Sequence, residues 1–421
     1  MNTISSWLPS YLLIKDLRRN TDFQETLQTA LLSSHAPPEL AKNTMKAIAI
    51  AKKHLKQESI HCAYPGVFFQ LKDRKLELLP STLIGEGGMG FVYKILWNDG
   101  IPRAIKIPKD PNKRSVILEE ANHLKQIHAQ GPIPGFQQSP HGEVYAITST
   151  GEYNIPTGFW GTYYPGKDLI SYDTTRNFFS RLELALFSEE NVVDLLQQLA
   201  RSNLELKKKD LYNTDGKASN IFYDGKNYII GDVEIQRGIP QTHEDLEKPL
   251  HITHRFTPEE LIEDFFEEEY NVRRRALEKI AIFQMGVIAW QALWKQPFPY
   301  IEGTDCKNKP DLDAAQNTPQ DSTAPPASQE VIDYVKKMLD IKRPDYPDLE
   351  DVAKTWSAFS KRPFSLSNFV YRLFHLTQIV LSLFYQTLLS KSRELYFRLI
   401  PEKAKRTSKT TLLIQEHPLN K

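Results

Sequence analysis

The chain has 421 residues, with 40% hydrophobic and 25% charged side chains and 53 Lys/Arg against 52 Asp/Glu. That length holds one large folded unit with smaller additions at either end, and the composition argues against a disordered or low-complexity chain. A formal net charge of +1 excludes binding to nucleic acid or membrane driven by overall charge.

The two cysteines, Cys62 and Cys306, stand far apart without metal-ligand spacing, which argues against a disulfide framework and for a reducing compartment. Met1 to Trp7 lacks the basic start and continuous apolar run of a secretory signal, so the chain reads as cytoplasmic. Delivery into a host cell by a non-classical route stays open.

Residues 1 to about 60 read as helices. Trp7, Leu8, Tyr11, Leu12 and Leu13 open one apolar face, Pro37-Pro38 interrupts, and Ala47 to Leu55 continues. From Gly66 the pattern turns strand-like, at Val67–Leu71, Leu76–Leu79, Phe91–Leu96 and Arg103–Ile107. Asn98-Asp99-Gly100 marks a hairpin between the last two. A helix is expected over Ser115–His128, and a strand near Val144–Ile147 inside a Gly/Pro/Gln/Ser-rich stretch. Ser188 with Glu189 and Glu190 starts a capped helix carrying Leu195, Leu196 and Leu199 on one face. Short strands Ile221–Tyr223 and Tyr228–Ile230 flank an Asp224-Gly225 turn, and helices dominate after Glu259. Residues 303–328 hold almost no large apolar side chain and read as a flexible insertion.

The sharpest motif is Gly85-Glu86-Gly87-Gly88-Met89-Gly90. Glycines let a backbone approach phosphates with N–H groups exposed. The motif sits between two strands, which argues against a dinucleotide-binding fold and for a hairpin over ATP. The plainer reading is a flexible hairpin turn. On the next strand Lys106 alternates with Ile105 and Ile107, so it points to the other face and can neutralise phosphate oxygens.

These residues resemble the eukaryotic-type serine/threonine protein kinases, in the divergent, bacterial-like form. The resemblance covers roughly residues 80 to 360 and implies an α+β, bilobal protein-kinase-like fold. It implies an N-lobe over 66–165 and a C-lobe over 166–360, preceded by the helical extension that the sequence pattern gives over 1–65. By its own composition, 361–421 reads as a basic, amphipathic C-terminal helical tail. It implies ATP and Mg2+ as cofactors, and a nucleotide contacted by Gly85, Gly87, Gly90, Val92, Ala104 and Lys106. It pairs Lys106 with Glu120 on the following helix, with Glu119 as the fallback.

Asp215 in Asn213-Thr214-Asp215-Gly216-Lys217-Ala218-Ser219-Asn220 can orient an attacking hydroxyl, Lys217 can offset phosphoryl charge, and Asn220 offers a carbonyl oxygen to magnesium. The stretch is similar to the family's catalytic loop, and Lys217 two after Asp215 favours serine/threonine over tyrosine as acceptor. By the same resemblance Asp232 holds the metal against the phosphates. Gly161–Leu169 resembles the hinge between lobes, Phe256–Glu259 the end of the activation segment, and Ile282–Ile288 the buried helix of the C-lobe. Arg343 would pair with Glu259.

Four departures stand against this pattern. Asn213-Thr214 replace the usual His/Tyr-Arg before the aspartate, which leaves a phosphate on the activation segment (on Thr242, Thr253 or Thr257) without its usual partner. Glu234 replaces the glycine two after Asp232. Ala281 replaces an aspartate that supports the catalytic-loop N–H groups, so another residue must satisfy them. The stretch from Glu120 to Asp215 is long.

Residues 361–421 hold eleven Lys/Arg against three Glu, a net charge of +8. Phe369 to Leu389 is apolar but interrupted by Arg372 and His375, a poor membrane span. It reads as a helix packed on the protein or as an in-plane membrane-surface contact. The expected partner is a protein substrate and not a nucleic acid. A nucleotide-binding scaffold without turnover and a kinase for a lipid or small molecule remain as alternatives.

Overall fold

The computed structural model describes residues 23–54, 59–72, 75–97, 99–129, 131–147, 156–164, 188–223, 226–241, 250–267, 269–302, 309–319 and 327–362. Expectations for residues 1–22 and 363–421, including the basic tail, lie outside them, as does most of Gly161–Leu169.

Two helices come first, α1 (Phe23–Ser33) and α2 (Pro38–His54), with Pro38 at the first helical position, where its missing N–H costs nothing. Leu27, Leu31, Leu40 and Ala47 bury one face of this pair against Ala63, Val67, Phe69, Leu78 and Ile147. All these partners but Ile147 lie on strands, so the helices cover one end of a sheet.

The sheet has eight strands: β1 (Ser59–Tyr64), β2 (Val67–Lys72), β3 (Lys75–Leu79), β4 (Ser81–Glu86), β5 (Gly90–Leu96), β6 (Pro102–Pro108), β7 (Gly142–Ala146) and β8 (Pro156–Thr162). Their order is β3-β2-β1-β7-β8-β6-β5-β4. All neighbours are antiparallel except β1 and β7, which run parallel with Ile60, His61 and Cys62 opposite Val144, Tyr145 and Ala146. The expectation of helix up to residue 65 is therefore corrected. Ser-Ile-His-Cys-Ala-Tyr is buried along nearly its whole length. A strand covered on both faces lacks the alternation that would betray it.

Helix α3 (Arg114–His128) lies against β8 and β6, with Ile117, Ala121, Leu124 and Ile127 buried at helical spacing beside Phe159.

The C-terminal part is mainly helical. α4 (Glu189–Lys208) opens on a capping box between Ser188 and Asn191. Short strands follow, β9 (Leu211–Asn213), β10 (Ile221–Tyr223), β11 (Tyr228–Ile230) and β12 (Ile235–Arg237), paired β9 with β12 and β10 with β11. Next come α5 (Glu259–Phe265) and α6 (Tyr270–Trp294). From Ile280 to Trp294 every residue of α6 is buried, because α4, α5 and α8 pack around it. β13 (Tyr300–Ile301), β14 (Lys309–Pro310), α7 (Leu312–Asn317), α8 (Gln329–Leu339) and α9 (Leu349–Phe359) complete the order.

The reading of 303–328 as a flexible insertion is corrected for its described part. Asp311 caps α7, Ala315 is fully buried, and the indoles of Trp290 and Trp294 donate to the Ala315 and Thr318 carbonyls at 3.1 and 2.9 Å. The segment contributes acceptors for buried tryptophans rather than apolar bulk of its own. Among the described residues no helix is long and apolar enough to cross a membrane.

Candidate active site

The Gly-rich motif forms the β4–β5 hairpin, closed by the Gly87 N–H donating to the Gly90 carbonyl at 3.0 Å. Its glycines differ in what they need. A Cβ on Gly90 would stand 2.5 Å from the Ile107 carbonyl oxygen, so packing against β6 requires that glycine. A Cβ on Gly88 would meet nothing within 4 Å, one on Gly87 only the Gly90 carbonyl at 4.0 Å, and one on Gly85 would make ordinary contact with Val92. The tip at Gly87 and Gly88 is open space. Lys113 donates to the Gly88 carbonyl at 2.9 Å, Lys109 pairs with Glu86 at 2.6 Å, and the Lys109 N–H donates to the Met89 carbonyl at 3.0 Å. The sequence reading missed this tether, although two lysines at three and seven residues past Lys106 were its available signal.

Val92 lies opposite Lys106 in the β5–β6 register. Ile105 and Ile107 are buried, while Ala104, Lys106 and Val92 are half-buried on the other face, as strand alternation demands. The Lys106 ammonium stands 2.5 Å from Glu120 and 2.6 Å from Asp232. Burial lowers this lysine's proton affinity, but the two carboxylates more than offset it and hold the affinity above the ordinary value. Burial pushes Glu120 up to about 7 even though Lys106 draws it down. Asp232, also subject to desolvation, is kept below the usual carboxylate range by Lys106. Glu119, the fallback partner, instead faces His123 at 3.7 Å.

Asp232 has a φ of 49°, a left-handed conformation that aspartate tolerates better than most residues. Val233 beside it is fully buried, so the turn is anchored in the core while its carboxylate faces Lys106.

Asp215 follows β9. Its carboxylate lies 2.5 Å from the Lys217 ammonium and accepts from the Thr253 hydroxyl at 2.6 Å. Asn220 donates its amide to the Asp215 carbonyl and to the Asp232 carbonyl, each at 3.1 Å. That tie brings the two aspartates into one site and leaves the Asn220 Oδ1 for a cation. The contact to Thr253 was missed in sequence, where this residue figured only as a phosphate acceptor.

Gln284 supplies what Ala281 cannot. One helical turn along α6, its Oε1 accepts from the Gly216 N–H and its Nε2 donates to the Thr214 carbonyl, both at 2.7 Å, and the amide also reaches the Thr257 hydroxyl at 3.3 Å. A Cβ on Gly216 would stand 2.9 Å from that Oε1, so the glycine makes room for the bond. Thr214 turns its hydroxyl to the His251 carbonyl at 3.0 Å. Glu234 faces the buried His123 ring at 3.5 Å, while His123 also reaches the Val233 carbonyl at 3.1 Å. Burial, helped by Glu119, Asp215 and Asp232, pushes Glu234 up to about 8. Helix α3 is thus joined to the Asp232 turn through His123 as well as through Glu120.

The Glu259–Arg343 pair is not formed. Glu259 pairs with Lys309 on β14, and Arg343 bonds Asp345 two residues away. The two segments do meet one residue along in each, where Lys342 faces Glu260 at 3.2 Å. The start of α5 leaves Glu259 exposed, so a nearby lysine on β14 serves it and the short loop satisfies Arg343 locally.

An eight-stranded sheet set on a helical part, with a strand lysine, a helix glutamate and two loop aspartates drawn together, has the character of a kinase-like protein. No family model matches the chain. Over 245 residues, 56% of the chain, it is 25% identical to an Arabidopsis thaliana protein named "Probable LRR receptor-like serine/threonine-protein kinase", of which it covers 21%. The chain thus spans about a fifth of that relative's length. The likeness supports, at a distance, a kinase-like protein.

Proposed function

We propose that this chain is a kinase that transfers the γ-phosphoryl group of ATP to serine or threonine hydroxyls of a protein substrate. The observation that carries the reading is the convergence of Lys106, Glu120 and Asp232 with Asp215, Lys217 and Asn220, tied together by the Asn220 amide.

The residues fit a magnesium-bound nucleotide. The open tip at Gly87 and Gly88 leaves room for phosphates, and Val92 and Ala104 offer an apolar surface on the same face as Lys106. Asp232 and the Asn220 Oδ1 supply the hard oxygen ligands that magnesium prefers. When bound, magnesium neutralises charge on the phosphates. Lys106, oriented by Glu120, binds phosphate oxygens. Asp215 orients the acceptor hydroxyl and takes up its proton, and Lys217 offsets negative charge on the moving group. Gln284 keeps the loop backbone in place despite Ala281, which weakens the case for a scaffold without turnover.

Incubation of the full chain with γ-labelled ATP, Mg2+ and a protein lysate, with Lys106→Ala and Asp215→Ala alongside, tests the reading. Label on Ser/Thr of protein in the wild type and its loss in both variants is the expected result. Equal label in all three overturns it. Label on lipid or sugar alone moves the function to that acceptor class.

A further inference from the structure

Beside Asp215 lies a second feature that the transfer site leaves unexplained. A cleft of about 220 Å³ is lined by His254, Thr257, Glu259, Ile262, Glu263 and Phe266, with Lys309 at its edge. It begins one residue past Thr253, whose hydroxyl touches Asp215, and Thr257 in its wall is bonded to Gln284, which holds the Asp215 loop. An acceptor hydroxyl oriented by Asp215 would therefore have its neighbouring residues over this cleft.

The cleft holds apolar side chains, and the helix along it is acidic. Ile262 and Phe266 lie along it, and Phe266 is 65% exposed, unusual for a large ring. Residues 259–269 hold seven Asp/Glu and no Lys or Arg. Among the described residues Glu259 and Glu260 have cationic partners, whereas the side chains of Glu263, Asp264 and Glu267 form no ion pair. Glu263 lines the cleft, and Asp264 and Glu267 are its neighbours in the chain; an acidic helix of this kind favours a peptide with several cations and a non-polar side chain near its acceptor.

The chain carries a segment of that chemistry. Residues 403–411 read Lys-Ala-Lys-Arg-Thr-Ser-Lys-Thr-Thr, four cations and four hydroxyls without one acidic residue. Forty residues separate Arg362, held by Glu330, from Lys403. Extended, they reach up to about 130 Å, far more than the radius of gyration of about 20 Å expected for a folded unit of this size. Reach does not limit the encounter, and linkage within one chain raises the segment's effective concentration at the cleft.

We propose that the cleft between Thr257 and Phe266 docks basic Ser/Thr peptides, and that residues 403–411 of the same chain are its occupant and are phosphorylated there. The proposal rests on the phosphotransfer reading. In the step, an acceptor Oγ among Thr407, Ser408, Thr410 and Thr411 bonds to the γ-phosphorus of ATP. The bond from that phosphorus to the β–γ bridging oxygen breaks and ADP leaves. The hydroxyl proton passes to Asp215 and then to water.

Two measurements on the full chain test it. Zero-length carbodiimide coupling joins a carboxylate to a lysine amine only where they touch, and needs no catalysis. Mass spectrometry should find Glu263, Asp264 or Glu267 joined to Lys403, Lys405 or Lys409. Exchange of these carboxylates (Glu263→Gln, Asp264→Asn and Glu267→Gln together) should remove these products while circular dichroism stays unchanged. The second measurement maps label after incubation with γ-labelled ATP and Mg2+. Label should fall on residues 407–411 at a rate independent of protein concentration, and should drop about tenfold in the triple variant. Absence of the coupled peptides overturns the docking. Label elsewhere but not at 407–411 overturns the proposal while the kinase reading stands. Label at 407–411 that rises with protein concentration places the segment of a second copy in the cleft and overturns the assignment within one chain. Absence of any label overturns the kinase reading itself.

Discussion

Gln284 and Gly216 are joined across 2.7 Å between the most buried helix and the loop that carries Asp215. The same amide holds the Thr214 carbonyl, so one side chain satisfies a backbone donor and a backbone acceptor of the loop. Replacing Gln284 with Leu strands both backbone groups, and each lost partner costs about 1–3 kcal/mol. Chemical denaturation should register a loss of about 2–6 kcal/mol. Phosphotransfer should fall more than tenfold with little change in nucleotide affinity, because the loop that slackens is the one bearing Asp215.

Thr253 offers a sharper separation of roles. Its hydroxyl donates to Asp215 at 2.6 Å and sits 3.4 Å from the Lys217 ammonium. Thr253→Ala should lower kcat about tenfold while leaving nucleotide binding and the melting temperature close to wild type. Thr253→Ser should restore the rate. Rates of label transfer at saturating ATP, with a fluorescent nucleotide for affinity, decide the matter. A Ser variant as slow as Ala would show that the hydroxyl is not the acting group.

The Lys106–Glu120 pair predicts a rescue. Removing Lys106 leaves a buried carboxylate without its cation, and breaking such a pair costs about 3–5 kcal/mol. Lys106→Ala should therefore lose stability as well as transfer. Adding Glu120→Gln removes the stranded charge and should recover much of the stability, while transfer remains lost. A double-mutant cycle of denaturation midpoints measures the coupling.

His61 gives a pH prediction for the N-terminal end of the sheet. Buried on β1 and stacked on Phe69 at 5.3 Å, it is lowered by burial from 6.5 to about 4. The unfolded chain therefore takes up a proton between pH 6.5 and 4 that the folded chain refuses. This group's share of stability is complete above pH 6.5 and is lost as pH falls to 4, by at most about 3 kcal/mol. His61→Leu should flatten the fall of melting temperature over that range.

Arg343 tests a correction. A buried pair with Glu259 would make Arg343→Ala strongly destabilising, but Arg343 is exposed and bonded to Asp345. Thermal unfolding of Arg343→Ala should match wild type. A large drop would restore the expectation drawn from the resemblance.

Much of the geometry of the candidate site was legible because its residues sit on regular elements or at fixed spacings. Lys106 stood out by alternation with Ile105 and Ile107, Glu120 by its place one turn before Leu124, and Asp215 and Asn220 by their separation. What sequence could not give were contacts made between distant segments. Gln284 looks like one polar residue in an apolar run, and only the fold shows that it meets Gly216, 68 residues away. Strand β1 hid for another reason, since burial on both faces erases the period of two. Lys309 drew no notice inside a polar stretch, yet it takes the partner reserved for Arg343.

The parallel pairing of β1 with β7 bears on how the protein can be shortened. The partners lie some eighty residues apart in the chain, so β1 can form its local hairpin with β2 early, but its other edge is paired only once residues 142–146 are in place. A chain begun at Gly66, the boundary that sequence suggests, would bare the backbone of β7 together with the apolar side chains that Ile60 and Cys62 now cover. An open sheet edge of that kind recruits other strands, and the shortened protein would be lost to aggregates before any enzymology could begin.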